Sequence, residues 1–229
     1  MKAPGFFRAS WVIASKDLAL EWRTWETLSS SLVFALIVLV IFNFAFGSSR
    51  EFGVGMLVPG VIWTALAFST VVGLARSMQL ERQRETLTAI FLTPIDRSAL
   101  FFGKLLGNLV KTTVLQVAIL VLSAVFFDFN LLDVLLPMLL VIFLHGLGLT
   151  ELGTLFAAVA TRVGRGEALL ATLLFPAATP LFISAVKCTS AVLEGDPLST
   201  VKNWLGISAG FVLLYLFVAL STFEFVLEE

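Results

Sequence analysis

The sequence predicts an all-α membrane protein in which six transmembrane helices follow an amphipathic helix at the membrane interface. Hydrophobic residues make up 59% of the chain and charged residues only 14%, whereas a soluble domain carries about 25% charged residues. Several apolar runs are long enough to cross a bilayer. With no linker evident, residues 1–229 form a single transmembrane domain. The net charge of −1 provides no basic field for nucleic acid.

The first predicted helix spans residues 5–27. Its basic residues Arg8, Lys16 and Arg23 lie between apolar and aromatic groups that recur every three or four positions. This pattern is typical of a helix in the interface with lipid, where Trp lies at the headgroup level. The alternative is an amphipathic helix packed on protein. The periodic residues are Phe7, Trp11, Ala14, Leu18, Trp22 and Trp25.

Each apolar run is near or above the ~20 residues that cross ~30 Å of hydrocarbon as a helix. The fourth run is long, and proline occurs in the second and fifth, where it removes a helical hydrogen bond. The predicted spans are residues 28–47, 52–75, 105–127, 131–160, 168–187 and 204–223.

Lys and Arg predict the orientation. The N-terminal segment, the 76–104 loop and the 161–167 loop together contain eleven of these residues, whereas the opposite side contains three. Positive charge is enriched on the cytoplasmic side of membrane proteins. Both termini and both of these loops are therefore predicted to be cytoplasmic.

The 76–104 loop is the longest polar interruption of the chain. Apolar residues of its middle part fall on one face of a helix, which Pro94 ends. Asp96 or Ser98 is suited to cap the helix that follows. We predict a short amphipathic helix that a soluble partner binds. The alternative is a solvated loop. The apolar face contains Leu80, Leu87, Ile90 and Phe91, and the charged residues beside it are Glu81, Arg82, Arg84 and Glu85.

The second cytoplasmic loop, residues 161–167, is short and contains Arg162, Arg165 and Glu167. Its charges have two interpretations. They contact the same soluble partner, or they anchor the helix ends to lipid headgroups.

Two ionisable residues, His145 and Glu151, lie in the fourth span. Burial of an ionisable residue in hydrocarbon costs free energy, so we consider a functional role for each of the two. His145 is a candidate haem ligand or proton relay, or it hydrogen-bonds a neighbouring helix. Glu151 is a candidate substrate or proton site, or it pairs with another helix. Lys111 in the third span is also ionisable.

Small residues four apart mark helix faces that approach other helices closely, and we expect intrachain packing at Gly103 and Gly107 and at Gly206 and Gly210. Residues 188–203 are predicted to face the outer side, and the start of this segment fits a short re-entrant helix.

The sequence lacks the residues that several kinds of catalysis and metal binding require. No G-x-x-x-x-G-K-[ST] phosphate loop occurs, so the chain cannot hydrolyse ATP by that route. One histidine excludes a His-based metal cluster within a chain, and one cysteine excludes an internal disulfide. We therefore predict no catalytic residue and no metal site.

Residues 57–108 resemble the permease subunits of ABC-type exporters, and more narrowly the haem exporter protein B (CcmB) family of cytochrome c maturation. The specific segments are Pro-Gly-Val-Ile-Trp at 59–63 and Leu-Thr-Pro-Ile-Asp-Arg-Ser at 92–98. Residues 16–46 and 151–186 are also similar, so the resemblance covers most of the chain.

The resemblance implies a permease that couples ATP hydrolysis by a separate ATPase to haem handling and to release of a haem-loaded chaperone. Two copies pair with two ATPase subunits, which bind ATP and Mg²⁺, in the bacterial inner membrane. Haem is possible in the complex, whose other members are a haem-handling membrane protein, a small single-span protein and the periplasmic haem chaperone. The implied ATPase-coupling residues are Glu81, Arg82, Arg84, Glu85, Leu87, Phe91, Pro94, Asp96 and Arg97.

Two alternatives remain open from the sequence. One is an ABC-2 exporter of lipid, glycan or drug, which a cytochrome-maturation gene neighbourhood would distinguish. The other is a channel or proton-linked carrier that uses Glu151 and His145 and needs no ATPase.

Overall fold

The computed structural model describes residues 5–46, 53–83, 97–163 and 166–228, without the side chains of 78–83, 97, 161–163, 166–167 and 223–228. Within these ranges the chain forms seven α-helices and one 3-10 helix, Leu198–Val201, and no strand. The predicted all-α class is confirmed. The helices are α1 Phe6–Thr24, α2 Glu26–Phe46, α3 Val54–Gln83, α4 Arg97–Phe127, α5 Leu131–Val163, α6 Gly166–Leu193 and α7 Lys202–Glu228.

Among the described residues, six helices are long and apolar enough to cross a membrane, which confirms the predicted number of spans. Three bounds differ by more than about two residues from the sequence prediction: the third span begins at Ser98, the fifth extends to Leu193 and the sixth begins at Leu198. In each case the helix includes polar residues that follow or precede the apolar run. Backbone hydrogen bonding therefore continues past the point where hydropathy falls.

The predicted 76–104 loop is too long at both ends. Helix α3 continues to Gln83 and α4 begins at Arg97. No glycine or proline occurs between Gly73 and Pro94, so no residue in that stretch disfavours continuation of α3. The rest of the predicted loop, residues 84–96, lies outside the described residues.

The predicted re-entrant helix at the start of 188–203 is wrong, because residues 188–193 are the last turns of α6. The Thr189 hydroxyl there accepts a hydrogen bond from the Trp63 indole at 2.9 Å. The chain turns only at Gly195, whose φ of 81° suits glycine. Pro197 then precedes the 3-10 helix.

The predicted helix 5–27 is α1 together with the start of α2. Trp25 lies between them in the left-handed region with φ 54°, and its N–H donates to the Glu21 carbonyl at 2.7 Å. The Glu21 carboxylate accepts the N–H groups of Thr27 and Leu28 at 3.0 and 2.8 Å. A carboxylate here satisfies free N–H groups of the first turn and complements the helix dipole. Glu21 thus fixes the angle between α1 and α2.

Two hydrophobic clusters form the core. The first joins α1 to the adjoining ends of α3, α4, α5 and α6, and it includes Ile13, Leu74, Phe101, Leu155 and Leu174. The second fills the opposite end of the bundle and includes Leu39, Ile62, Ile119, Met138 and Cys188. The predicted coupling segment adjoins the first cluster.

Candidate functional site

The predicted coupling residues lie at the ends of α3 and α4 and between them. Glu81 and Arg82 are in the last turn of α3, and Arg97 is the first residue of α4. The two helices that flank the segment contain 30 and 31 residues. The short amphipathic helix remains a prediction. The coupling residues outside the described ranges are Arg84, Glu85, Leu87, Phe91, Pro94 and Asp96.

The second loop that is predicted to be cytoplasmic, residues 161–167, is helical in its described residues. Arg162 lies in the last turn of α5 and Glu167 in the first turn of α6. Arg165 lies outside the described residues. Whether these charges contact a partner or lipid stays a prediction.

Helix α1 packs directly against the start of α4. The Ser10 hydroxyl donates to the Ala99 carbonyl at 3.0 Å. A Cβ on Gly103 would lie 2.8 Å from the Ser10 carbonyl oxygen, and one on Gly107 would lie 3.4 Å from Cβ of Asp17. A larger residue at Gly103 would therefore push the two helices apart, whereas a Cβ on Gly107 would make an ordinary van der Waals contact. The expected intrachain packing at these two glycines is confirmed. The same expectation for Gly206 and Gly210 is wrong, because no atom of another helix in the described part of the chain lies within 4 Å of a Cβ built on either glycine.

A buried ion pair completes this contact. Nζ of Lys104 donates to the Asp17 carboxylate at 2.8 Å, and the two residues are 2% and 7% exposed. Lys16 lies 3.1 Å from the other carboxylate oxygen. Lys104 is thus a buried residue of the third span, and its placement in the loop was wrong.

The ion pair determines the charge state of Asp17. Burial alone raises the pKa of a carboxyl group, but the neighbouring Lys104 and Lys16 outweigh burial here. The pKa of Asp17 therefore lies below its usual value of 3.8. The carboxylate is charged at neutral pH.

The opposite face of α1 is uncovered. Phe7 is 84% exposed and Trp11 66% exposed, and Arg8, Lys16 and Arg23 are exposed beside them. The two interpretations of this helix thus each describe one face. One face packs on protein, and the other presents the aromatic and basic pattern of an interfacial helix.

Helices α2 and α3 are joined by a more exposed ion pair. Nη2 of Arg76 lies 2.7 Å from Oε1 of Glu26, and both side chains are partly exposed. Arg76 thus belongs to α3 and contacts the first turn of α2.

His145 joins three helices in the membrane. Its Nδ1 donates to the Val141 carbonyl of α5 at 2.7 Å. Its Nε2 lies 2.8 Å from the Ser208 hydroxyl of α7 and 3.2 Å from the Ser184 hydroxyl of α6. The Ser184 hydroxyl donates to the Trp204 carbonyl at 2.8 Å. The geometry thus provides the interhelical hydrogen bonding that was one of the options for His145.

Glu151 is also buried, at 2% exposure. Its Oε2 has no hydrogen-bond partner among the described residues. Lys111 donates to the Ser77 hydroxyl at 3.0 Å. The functional role of Glu151 stays a prediction.

A family model for "CcmB protein" matches residues 8–226, nearly the whole chain. The chain belongs to the CcmB family. Heme exporter protein B of Pseudomonas aeruginosa is 27% identical over 196 residues, which cover 85% of this chain and 86% of that protein. Heme exporter protein B of Escherichia coli strain K12 is 29% identical over 102 residues, 44% of this chain and 46% of that protein. The protein of the same name from Shigella flexneri aligns to the same extent.

The CcmB match extends from α1 to α7, so the α1–α4 ion pair and the His145 contacts both lie within the family domain. Four residues that form these two contacts or orient α1 were not identified from the sequence. They are Asp17, Glu21, Ser184 and Ser208. A signal existed for two of these, because Asp17 and Glu21 lie four apart on the face that contains Ala14 and Ser10. Ser184 and Ser208 carried no such signal.

Proposed function

We propose that this CcmB-family protein is the membrane permease subunit of an ABC transporter for cytochrome c maturation. It draws energy from a separate ATPase subunit, since its sequence contains no phosphate loop. The observation that carries the proposal is the length of α3 and α4. Helices of 30 and 31 residues exceed the ~20 residues needed to cross a bilayer, and both lead to the charged segment 84–96.

The contacts of α4 provide a route for movement. A force on residues 84–96 reaches α4 at Arg97, and α4 extends to Phe127 at the predicted outer end. The Asp17–Lys104 ion pair ties α1 to α4, and Glu21 of α1 holds the first turn of α2. Displacement of α4 therefore moves α1 and the start of α2 with it.

The proposed complex contains two copies of this chain and two ATPase subunits, which bind ATP and Mg²⁺. ATP hydrolysis drives haem handling and release of a haem-loaded periplasmic chaperone. A haem-handling membrane protein and a small single-span protein complete the assembly in the bacterial inner membrane. Both termini face the cytoplasm, in agreement with the distribution of Lys and Arg.

The test is charge reversal of Glu81 and Glu85 followed by affinity purification in mild detergent. We expect the ATPase not to copurify with the variant E81K/E85K, because two acidic groups of the proposed contact become basic. A matched control is E194K/D196K, which reverses two exposed acidic residues at the predicted outer end. Intrinsic Trp fluorescence on heating shows that each variant is folded.

Normal copurification of the ATPase with E81K/E85K would show that this segment does not couple the two proteins. Function that survives deletion of the ATPase would support a carrier using His145 and Glu151.

A further inference from the structure

A small cavity with several polar side chains in its wall lies where α2, α3 and α4 meet. Its volume is about 20 Å³, and its walls include Ser31 of α2, Ser69 and Thr70 of α3, and Asn108 and Lys111 of α4. These side chains are all less than one-tenth exposed. The cavity thus places several polar groups inside a helix bundle whose surroundings are apolar.

Three polar atoms in the cavity wall have no hydrogen-bond partner among the described residues: Oγ of Ser69, Oγ1 of Thr70 and Oδ1 of Asn108. The amide nitrogen of Asn108 is used, since it donates to Thr154 at 3.0 Å. Buried polar groups in proteins are almost always hydrogen-bonded to protein or to ordered water.

Several other hydroxyls in the membrane helices behave differently. They donate to the carbonyl four residues earlier in their own helix, as Thr113, Ser123, Thr150 and Thr179 do. This bond is the usual solution for a hydroxyl on an apolar helix. Ser69 and Thr70 do not make it, and both line the cavity. Their partner therefore lies in the cavity.

We propose that the cavity binds internal water. A cavity needs about 10–15 Å³ to hold one water molecule, and the water needs two to four polar partners. Ser69 and Thr70 offer hydroxyl groups that donate and accept, and Asn108 Oδ1 accepts only. Water matches this mixed set, because it both donates and accepts.

Small ions fit the same site less well. The acceptor oxygen of Asn108 opposes an anion, and the positive charge of Lys111, one of the lining residues, opposes a cation. Bound water also hydrates the side of Lys111 that faces the cavity, which helps a charged group to lie within the third span.

Hydroxyl-radical footprinting by X-ray radiolysis tests the proposal on the whole chain in detergent or nanodiscs. Radicals formed from a bound water oxidise the side chains next to it, even when those side chains are buried. Leu28, Leu74 and Leu115 line the cavity and are at most 4% exposed. We expect them to be oxidised more than Leu105 and Leu152, which are each 4% exposed and do not line the cavity.

The variant S69A/T70V removes both hydroxyls and nearly preserves side-chain shape. We expect it to abolish the excess oxidation of the three cavity leucines. The matched control S123A/T113V removes two hydroxyls that bond to their own helix, and it should leave the excess unchanged. Replacing chloride with gluconate should have no effect.

Three results would overturn the proposal. Oxidation of the cavity leucines no greater than that of the other buried leucines would indicate a dry cavity. Retention of the excess oxidation in S69A/T70V would show that the hydroxyls hold no water. Oxidation that falls as chloride is added would indicate an anion at the site.

Discussion

The α1–α4 contact and the α5–α6–α7 contact are both held by buried polar groups, but the first is charged and the second neutral. Asp17 and Lys104 meet near the start of the third span, whereas His145, Ser184 and Ser208 meet in the middle of the fourth. Charged groups are costly in hydrocarbon and therefore lie near its edge or in pairs. The difference indicates that the contact at the start of the third span depends on charge and the contact in the middle of the bundle on hydrogen bonds.

The largest expected effect is loss of Lys104. The variant K104M leaves Asp17 buried beside Lys16 alone, and removal of one partner of a buried ion pair costs about 3–5 kcal/mol. We expect a loss of about 3 kcal/mol in the free energy of unfolding, measured by SDS titration in mixed micelles. The exposed Lys187 provides the control variant K187M, which should be nearly neutral.

The double variant D17L/K104M removes both charges and should recover most of the lost stability, because no unpaired charge remains.

The Asp17–Lys104 pair also predicts that stability depends on pH. Since the folded-state pKa of Asp17 lies below 3.8, its stabilisation is full above that pH and is lost as the pH falls further. The double variant should lack this acid-dependent component. A double variant no more stable than K104M would contradict the charged interpretation of this contact.

The neutral contact should be weaker. Removal of the imidazole in H145L breaks the hydrogen bonds to Val141 of α5 and Ser208 of α7, and interhelical hydrogen bonds in membranes average about 0.6 kcal/mol. We expect a loss of about 1–2 kcal/mol. The Trp63 ring lies 5.5 Å from the His145 ring, so its fluorescence should change too. S123A is the control, since that hydroxyl bonds to its own helix.

The same variant separates the two roles of His145. An interhelical contact predicts lower stability with unchanged haem absorbance in the purified complex. Loss of haem absorbance at unchanged stability would instead indicate that His145 is a haem ligand.

The smallest expected effect is at the partly exposed pair of Arg76 and Glu26. Exposed ion pairs contribute about 0–1 kcal/mol, so E26Q should cost less than about 1 kcal/mol. The difference should disappear near 1 M salt, where the Debye length is about 3 Å. If E26Q lowered the free energy of unfolding as much as K104M, or if its effect did not depend on salt, burial would not explain the difference between the two ion pairs.

The six spans could be predicted from hydropathy because each exceeds the bilayer thickness. Their ends could not, since a polar residue lowers hydropathy without ending a helix. Residues 188–193 illustrate this. Ser190 donates to the Gly55 carbonyl at 2.7 Å, and Thr189 bonds to Trp63, so both hydroxyls are satisfied while α6 continues.

The candidate site could be predicted only in part. The spacing of Gly103 and Gly107 identifies a close-packing face, but it does not identify α1 as the neighbour. Lys104 looked like a loop charge because its partner, Asp17, lies 87 residues away in sequence. Pairing over such a distance depends on the fold and cannot be predicted from a local sequence pattern.

The central claim is that a charged segment between α3 and α4 faces the cytoplasm and receives force there. Cys188, the only cysteine, is buried, so a C188A background permits single-cysteine labelling with a membrane-impermeant maleimide. We predict that R84C reacts only after the cells are permeabilised, whereas D196C, at an exposed position, reacts in intact spheroplasts. Reaction of R84C in intact spheroplasts would contradict the claim.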